Sequence, residues 1–311
     1  MPTMTDAQLI DDADALQAFV ESSLGAPLLG LDTEFVRDRH YFPRAGLIQI
    51  ATPERIALVD PVRIEDLAPL APLLFETPAV KILHAAHQDL ELLLYLFGRV
   101  PAPLFDTQTA AEAVGLAAQI GHATLVEALL HAAPRASLGR YDWLRRPLAA
   151  EALDYAADDV VYLGELYEQL GAGLVASKKE AAFADAMRKA ADPARYRPDP
   201  DNAWRRMRAA RRLNGDVLAR LKPLAAWRER QAMDEDRPRQ WVLRDEVLLA
   251  LARQAPRSFA ELGRIEPLTP AARRRYGEQL LGLIEAAETQ SESESASDAG
   301  ADDSGGAGTS S

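Results

Sequence analysis

The stretch Leu28-Leu29-Gly30-Leu31-Asp32-Thr33-Glu34-Phe35 determines how the rest of this 311-residue sequence is interpreted. The first four residues of the stretch are apolar or small, which favours a buried β-strand. Alternate side chains of a strand point to the same face, so Asp32 and Glu34 share a face, about 7 Å apart along the strand. Two carboxylates on one face near the centre of a sheet repel each other and are costly to bury. A divalent cation would remove both penalties, whereas an edge strand running into solvent would tolerate the two acids without one.

A second acidic position follows in the sequence His84-Ala85-Ala86-His87-Gln88-Asp89-Leu90. A strand is predicted to end near His84, and apolar residues then recur at helical spacing, so Asp89 lies at a strand-to-helix junction. Sites gather at such junctions, although Asp is also a favoured helix cap and would need no metal there. Glu91 falls on a different face of the helix. The two histidines are interpreted as hydrogen-bonded core residues.

A third stretch, from Ala149 to Leu170, is predicted to form one long helix, because Ala, Leu and Glu dominate it and no proline interrupts it. Tyr155 and Asp159 are four residues apart and share a face of that helix. Asp158 is rotated by about 100° and is predicted to face solvent or to cap a contact. Taken alone, a tyrosine and an aspartate at this spacing would form only an ordinary hydrogen bond on the helix surface.

Together the three stretches supply four carboxylates and a phenol: Asp32, Glu34, Asp89, Asp159 and Tyr155. Because the sequence has no cysteine, this oxygen-rich set suits Mg²⁺ or Mn²⁺ better than zinc. Four acids are what two such ions need when a phosphodiester oxygen bridges them, about 3.5–4 Å apart. The phenol, with an ordinary pKa of about 10, is better suited to orient an attacking water than to act as a base.

In this order, the strings Leu-Asp-Thr-Glu-Phe, His-Ala-Ala-His-Gln-Asp-Leu and Tyr-Ala-Ala-Asp-Asp resemble the three exonuclease motifs of the DEDDy nucleases. Further strings at residues 46–50, 105–110 and 141–148 resemble the ribonuclease D family in particular. The resemblance covers about residues 20–170. It implies an α/β RNase H-like fold and 3′→5′ hydrolysis that releases nucleoside 5′-monophosphates. Tyr141 departs from the family pattern, in which a serine is expected before Asp-Trp.

The elements around these motifs predict a mixed sheet with helices packed on it. Residues 47–51 and 56–60 are predicted to form a hairpin that continues an antiparallel meander from the first strand. Further strands are predicted at 80–84 and 104–106, and a short helix at 67–75. Thr5 to Leu24 is predicted to form a single amphipathic helix.

Charge is distributed unevenly along the chain. Residues 1–194 hold 28 acids and 15 bases, whereas residues 195–230 hold 11 bases and 4 acids. If the basic segment is helical, Arg205, Arg208 and Arg212 share a face, and we predict that they contact RNA phosphates and raise the local substrate concentration. The alternative is a solvated inter-domain helix that forms salt bridges with the acidic nuclease face.

The predicted organisation is an exonuclease domain (1–180), a linker (181–202), a small all-α domain (203–288) and a disordered acidic tail (289–311). The all-α domain resembles the HRDC module shared by RecQ-like helicases and ribonuclease D, which implies nucleic-acid binding without chemistry. A second module of this kind is not expected, because the chain ends too soon for one. The tail is rich in Ser, Glu, Asp, Gly and Ala, a composition typical of disorder.

The predicted function is that of a metal-dependent 3′→5′ exoribonuclease that trims structured RNA precursors, tRNA 3′ ends above all. The substrate follows from the resemblance and not from residue chemistry. A DNA exonuclease of the same superfamily and a non-catalytic RNA-binding scaffold are the alternatives. Gln49 and His84, near predicted strand ends, are weaker candidates for bonding a terminal nucleotide, with core hydrogen bonding as the alternative.

Location is predicted from what the sequence lacks. No apolar run reaches the roughly 18 residues of a membrane span, and the first residues lack the pattern of a secretory signal. We therefore expect a cytoplasmic protein that does not associate with membranes, and a monomer.

Overall fold

The computed structural model describes residues 7–213 and 215–301, with side chains up to residue 290. Contacts divide the chain into two compact units. The first unit runs up to Arg37 and resumes from Pro43 to Arg197, and the second unit comprises Asp38–Phe42 and the chain from Pro198 onward. The boundary between Arg197 and Pro198 falls inside the predicted linker. The assignment of residues 38–42 to the second unit had no signal in the sequence.

The described part of the first unit is built on a six-stranded sheet in the order β1-β4-β3-β2-β5-β6. Its strands are β1 (Ala7–Ile10), β2 (Leu28–Val36), β3 (Arg44–Ala51), β4 (Ile56–Val59), β5 (Val80–Leu83) and β6 (Leu104–Asp106). The β2, β3 and β4 strands form an antiparallel meander. The β1, β5 and β6 strands each run parallel to a neighbour. The predicted mixed sheet is confirmed.

The helix predicted from Thr5 to Leu24 is divided in the structure. Thr5 and Asp6 lie outside the described residues, and Ala7–Ile10 form β1, followed by helix α1 (Ala13–Ser23). Asp12 caps α1: its side chain accepts a hydrogen bond from the backbone N–H of Ala15 at 2.8 Å, and its own backbone is extended. An extended cap residue starts a helix and cannot lie inside one, so the apolar periodicity gave the wrong assignment before Asp12.

Helices cover the sheet of the first unit. They are α2 (His87–Phe97), α3 (Thr107–Ala113), α4 (His122–Leu130), α5 (Ala150–Val161), α6 (Leu163–Ser177) and α7 (Glu180–Ala190). The single helix predicted over 149–170 is divided at Tyr162 into α5 and α6. Val160, Val161 and Gly164 have lower helix propensity than the Ala and Leu around them, which favours a break here. The helix predicted at 67–75 appears as two short turns, Ala68–Leu70 and Pro72–Glu76.

At Gly30 in β2, helices α5 and α6 lie close against the sheet. A Cβ atom at this position would lie 3.2 Å from the carbonyl oxygen of Val160 and 3.3 Å from the Cβ of Leu163. Because every second residue of a strand points to the same side, Gly30 lies on the same face as Asp32 and Glu34. The missing side chain therefore lets α5 lie directly over the face that carries both acids.

The second unit is an all-α bundle with its own core, as predicted. Its helices are α8 (Gly215–Asp234), α9 (Arg239–Val242), α10 (Asp245–Gln254), α11 (Phe259–Leu262) and α12 (Pro270–Ala301). The core is formed mainly by leucines, among them Leu221, Leu224, Leu248, Leu251 and Leu280.

Residues 289–311 are predicted to be disordered. In the structure α12 continues to Ala301, so residues 289–301 are helical. Ala and Glu are good helix formers, and extending an existing helix avoids the cost of nucleating a new one. Residues 302–311 lie outside the described residues.

The basic segment also differs from its prediction. Its arginine-rich part, residues 200–212, forms two short 3₁₀ helices, Pro200–Arg206 and Arg208–Arg212. Met207 separates them, with an extended backbone at φ −82° and ψ 114°. From Gly215 onward the segment belongs to α8. Met207 is buried in the core of the second unit, which accounts for the break. The predicted α-helical face carrying Arg205, Arg208 and Arg212 is therefore wrong, although all three side chains are exposed.

Residues 38–42 are built into the second unit by hydrogen bonds. The Tyr41 hydroxyl donates to Oε1 of Glu229 at 2.5 Å, and the backbone N–H groups of Tyr41 and Phe42 each donate to Oδ1 of Asp236 at 3.1 Å. Glu229 is fully buried and also accepts hydrogen bonds from two arginines. The connector that leaves β2 and returns to β3 thus satisfies a buried acid of the second unit.

No helix in the described ranges has the length and apolar character needed to cross a lipid bilayer.

Candidate active site

Three of the predicted ligands form a compact cluster. Asp32 and Glu34 come from β2 and Asp159 from α5, and one carboxylate oxygen of each lies within 4.8 Å of those of the other two. Opposite oxygens around an octahedral Mg²⁺ are about 4.2 Å apart, so these donors need only a small adjustment to share one cation. The residues present fit Mg²⁺ or Mn²⁺ in both geometry and donor chemistry.

Asp89, the fourth predicted ligand, lies in the first turn of α2 and is outside this compact cluster. It is 7% exposed, and its Oδ1 accepts a hydrogen bond from Oγ1 of Thr33 at 2.5 Å. Asp89 is not the helix cap, because Ala86 holds that position. Among the neighbouring charges, that of Asp89 has the largest effect on the pKa of Asp32, so the two acids belong to one electrostatic site.

Burial, with smaller effects from neighbouring carboxylates, raises the pKa of these acids. The pKa rises to about 8 for Glu34, about 7 for Asp159 and about 6 for Asp89, and the pKa of Asp32 is well above its ordinary value. In each case desolvation is the largest cause, and charges of other carboxylates add to it. Buried carboxyls of this kind ionise readily once positive charge is supplied, and a divalent cation supplies it.

Tyr155 lies one helical turn before Asp159 on α5, and its hydroxyl interacts with that carboxylate. Burial, and then the charges of Asp159 and Glu34, raise the pKa of the Tyr155 phenol above its ordinary value. The hydroxyl therefore remains protonated at neutral pH. It is suited to orient a water molecule by hydrogen bonding and not to remove a proton from it.

The two weaker candidates in the first unit have other roles. Gln49 pairs with Asp32 across β2 and β3, is fully buried, and places its Nε2 3.5 Å from Oδ2 of Asp32. His84 has partners on both ring nitrogens: Nδ1 lies 2.9 Å from Oγ1 of Thr107, and Nε2 donates to the carbonyl of Ile120 at 3.0 Å. Both side chains therefore have hydrogen-bond partners within the protein, and their contact with a terminal nucleotide stays a prediction.

Comparison with known proteins identifies the family. A family model described as 3′-5′ exonuclease matches residues 7–174, and one described as HRDC domain matches residues 217–284. Over 282 residues the chain is 39% identical to ribonuclease D from Escherichia coli strain K12, covering 91% of this chain and 75% of that protein. The chain belongs to the ribonuclease D family. The predicted 3′→5′ exoribonuclease activity is confirmed at the level of the family.

Solved structures agree with this membership. The crystal structure of Escherichia coli RNase D, described as an exoribonuclease involved in structured RNA processing, superimposes with a TM-score of 0.83 at 39% identity, covering 91% of this chain and 75% of that one. The catalytic core of RRP6 from Trypanosoma brucei superimposes with a TM-score of 0.66 at 23% identity, covering 91% of this chain and 80% of that one, which shows a shared fold.

Some residues near the ribonuclease D site were missed by the sequence analysis. His122, the first residue of α4, is mostly buried and places its Nδ1 3.8 Å from Oδ1 of Asp159. It lies outside all three motifs, so no spacing could indicate it. Asp158, predicted to face solvent or to cap a contact, is 3% exposed and accepts a hydrogen bond from the backbone N–H of Arg135 at 2.8 Å.

Tyr141, the departure from the ribonuclease D pattern, supports the helix that carries two site residues. Its hydroxyl accepts a hydrogen bond from the backbone N–H of Ala149, directly before α5, and its ring packs against Trp143. Trp143 in turn lies against Gly46, where a Cβ would come within 2.6 Å of the Trp143 Cβ. The close approach explains why glycine is needed at this point of β3.

The second unit contains a groove with a volume of about 450 Å³. Trp241, whose side chain is 53% exposed, lies in its lining beside the cationic side chains of Arg237, Arg244 and Arg275. An exposed aromatic ring next to cations is the combination that binds single-stranded nucleic acids, through base stacking and phosphate contacts.

Proposed function

We propose that this chain removes nucleotides from the 3′ ends of structured RNAs, tRNA precursors above all, by two-metal-ion hydrolysis that releases nucleoside 5′-monophosphates. The cluster of half-buried, mutually repelling carboxyls is the observation that carries the proposal. When bound, Mg²⁺ or Mn²⁺ would activate the attacking water and stabilise the leaving 3′-oxygen.

Each site residue is given a role by its position. Asp32, Glu34 and Asp159 are proposed to hold one ion, because their oxygens already lie close together. Asp89 is proposed to hold the second ion together with Asp32, because among the neighbouring charges that of Asp89 raises the pKa of Asp32 most. Tyr155 is proposed to orient the attacking water through its protonated hydroxyl.

The substrate class rests on the second unit and on the relatives. The groove around Trp241 and the exposed arginines Arg205, Arg208 and Arg212 offer stacking and phosphate contacts to single-stranded RNA. The Escherichia coli relative is described as acting in structured RNA processing. A cytoplasmic location and a monomeric state remain predictions.

The test compares matched RNA and DNA substrates that carry the same 3′ overhang, in the presence of Mn²⁺. We expect faster degradation of RNA, with nucleoside 5′-monophosphates as products. Asp32→Ala and Asp159→Ala should abolish turnover and leave RNA affinity largely intact, whereas Glu151→Ala, an exposed acid of the same helix α5, should behave as wild type. Tyr155→Phe should reduce kcat without loss of Mn²⁺ binding.

Three results would contradict parts of the proposal. Faster degradation of DNA would assign the chain to the DNA exonucleases of the superfamily. Cleavage by Asp32→Ala at the wild-type rate would mean that the metal site lies elsewhere. RNA binding by the wild-type protein without any cleavage in Mn²⁺ would support a non-catalytic scaffold.

A further inference from the structure

Thr33 lies between two proposed metal ligands in β2, yet its side chain contacts a third. Because side chains alternate along a strand, Thr33 points away from the face shared by Asp32 and Glu34. Its hydroxyl donates to Oδ1 of Asp89 at 2.5 Å, and both side chains are 7% exposed. A hydrogen bond to an ionised group in such a buried setting is short and strong.

The topology of the sheet explains how this contact arises. Pairing between β2 and β5 ends at Gly30 and Ile82, so β2 continues beyond its parallel neighbour. The chain leaves β5 at Leu83 and begins α2 at His87, so that the first turn of α2 lies beside the extended part of β2. The contact therefore joins two of the motifs across 56 positions of sequence.

A second contact joins the same two elements. Arg37, one residue beyond β2, binds Glu91 of α2 through both Nη atoms, at 3.0 and 2.6 Å. This bidentate ion pair involves neither a proposed ligand nor the Thr33 hydroxyl. It links α2 to the end of β2 through groups other than Asp89.

We propose that Thr33 is a positioning residue for the second metal ion. Its single hydroxyl proton occupies one oxygen of Asp89 and fixes the rotation of the carboxylate, which leaves Oδ2 for the cation shared with Asp32. Hydrogen bonds of this kind to metal-binding carboxylates commonly contribute about 10- to 100-fold to metal affinity. The inference rests on the two-ion site of the proposed function.

The experiment measures Mn²⁺ binding directly, by titration calorimetry on the full-length protein at neutral pH. Thr33→Val keeps the shape of the side chain and removes the donor, whereas Thr33→Ser keeps the donor. The matched control is Glu91→Gln, which weakens the ion pair with Arg37 and leaves the Thr33 hydroxyl in place. Thermal unfolding of each variant reports whether the fold is retained.

We expect two Mn²⁺ binding events in the wild-type protein and weakening of one of them by at least about tenfold in Thr33→Val. The other event should be unchanged, Thr33→Ser should bind both ions like wild type, and Glu91→Gln should lose little affinity. Exonuclease activity of Thr33→Val should fall at low Mn²⁺ and recover as the Mn²⁺ concentration rises. If Thr33→Val does not fold, Thr33→Ala provides the same comparison.

Unchanged Mn²⁺ isotherms in Thr33→Val would overturn the inference and leave the proposed function standing. Equal losses in Thr33→Val and Glu91→Gln would also overturn it, because they would mean that packing of α2, and not the hydroxyl, determines metal affinity. Failure of the wild-type protein to bind Mn²⁺ would instead remove the two-ion site itself.

Discussion

Glu34 is a single side chain whose burial has consequences for the stability of the whole fold. Its pKa is raised by burial, then by the charges of Asp159 and Asp89, from 4.5 to about 8. Between these two values the folded protein holds a proton that the unfolded chain has lost. Stability from this group is therefore complete below about pH 4.5 and falls as pH rises toward about 8.

We expect the unfolding temperature in the presence of a chelator to fall between about pH 5 and 8, and Mn²⁺ to restore more of it at pH 8 than at pH 5, because the cation replaces the missing proton. Differential scanning calorimetry at both pH values, with and without Mn²⁺, measures this. Glu34→Gln, whose amide has no proton to lose, should show a smaller fall, because Asp32, Asp89 and Asp159 still titrate in this range. A Mn²⁺ stabilisation that does not change with pH would contradict the prediction.

At the scale of residues, spacing identified the acids, but it did not identify their partners. The two-residue spacing of Asp32 and Glu34 and the four-residue spacing of Tyr155 and Asp159 depend only on the geometry of one strand and one helix. The bond between Thr33 and Asp89 joins elements whose relative position is a tertiary property. Strand alternation places Thr33 on the opposite face from Asp32, so local geometry pointed away from that contact.

At the scale of elements, the approach of α5 to β2 at Gly30 determines where Asp159 lies. A Cβ at Gly30 would lie 3.2–3.3 Å from Val160, Ala51 and Leu163, so Gly30→Ala should displace α5 by a few tenths of an ångström. Ala also reduces the entropy of the unfolded chain, which offsets part of the strain.

We therefore expect Gly30→Ala to weaken Mn²⁺ binding more clearly than it lowers stability, with a change in the free energy of unfolding within about 1 kcal/mol. Calorimetric Mn²⁺ titration and chemical denaturation measure the two quantities. Gly171→Ala is the matched control, because a Cβ there meets no atom within 4 Å and improves helix propensity in α6. Wild-type Mn²⁺ affinity in Gly30→Ala would show that the close approach does not determine the position of Asp159.

Buried strands were predictable because short apolar runs between turn residues have few other interpretations. The elements that sequence analysis assigned incorrectly are those in which apolar periodicity continues across a break. Within one such pattern β1 ends at Ile10 and Asp12 caps the start of α1. Met207 interrupts the arginine segment because its side chain is needed in the core, a requirement that local spacing does not contain.

At the scale of the whole molecule, the arginine-rich part of the basic segment, residues 200–212, remains the proposed partner of RNA even though it is not an α-helix. Phosphate contacts make log K fall with log[salt] by about 0.7 per contact on single strands. Changing Arg205, Arg208 and Arg212 to Ala should flatten that slope by about two and raise KM for long RNA, with little change for a dinucleotide. Binding measured at several salt concentrations tests this.

The control removes the same number of charges elsewhere in the second unit. Arg253, Arg264 and Arg274 are exposed and lie outside the segment. Their triple Ala variant should retain most of the wild-type slope. Equal slopes in the wild type and in the segment variant would mean that the segment arginines serve the fold.

The groove of the second unit makes a separate prediction. Stacking of one base on an aromatic ring contributes about 1–3 kcal/mol, so Trp241→Ala should weaken binding of single-stranded RNA by about 5- to 150-fold. Phe259, whose side chain is 47% exposed and lies outside the groove lining, provides the control as Phe259→Ala. Fluorescence anisotropy with labelled RNA measures both. Equal effects of the two variants would remove the groove from the RNA path.

The assignment of Asp38–Phe42 to the second unit means that the polypeptide passes between the two units three times, at residues 37/38, 42/43 and 197/198. A protease that cuts once near residue 197 would therefore leave a five-residue piece of the second unit attached to the nuclease fragment. Exchange of the HRDC module between relatives would likewise have to carry Tyr41 together with Glu229, because either residue transferred alone leaves a buried group without its partner. The HRDC module of this enzyme can therefore be exchanged only together with the connector that carries Tyr41.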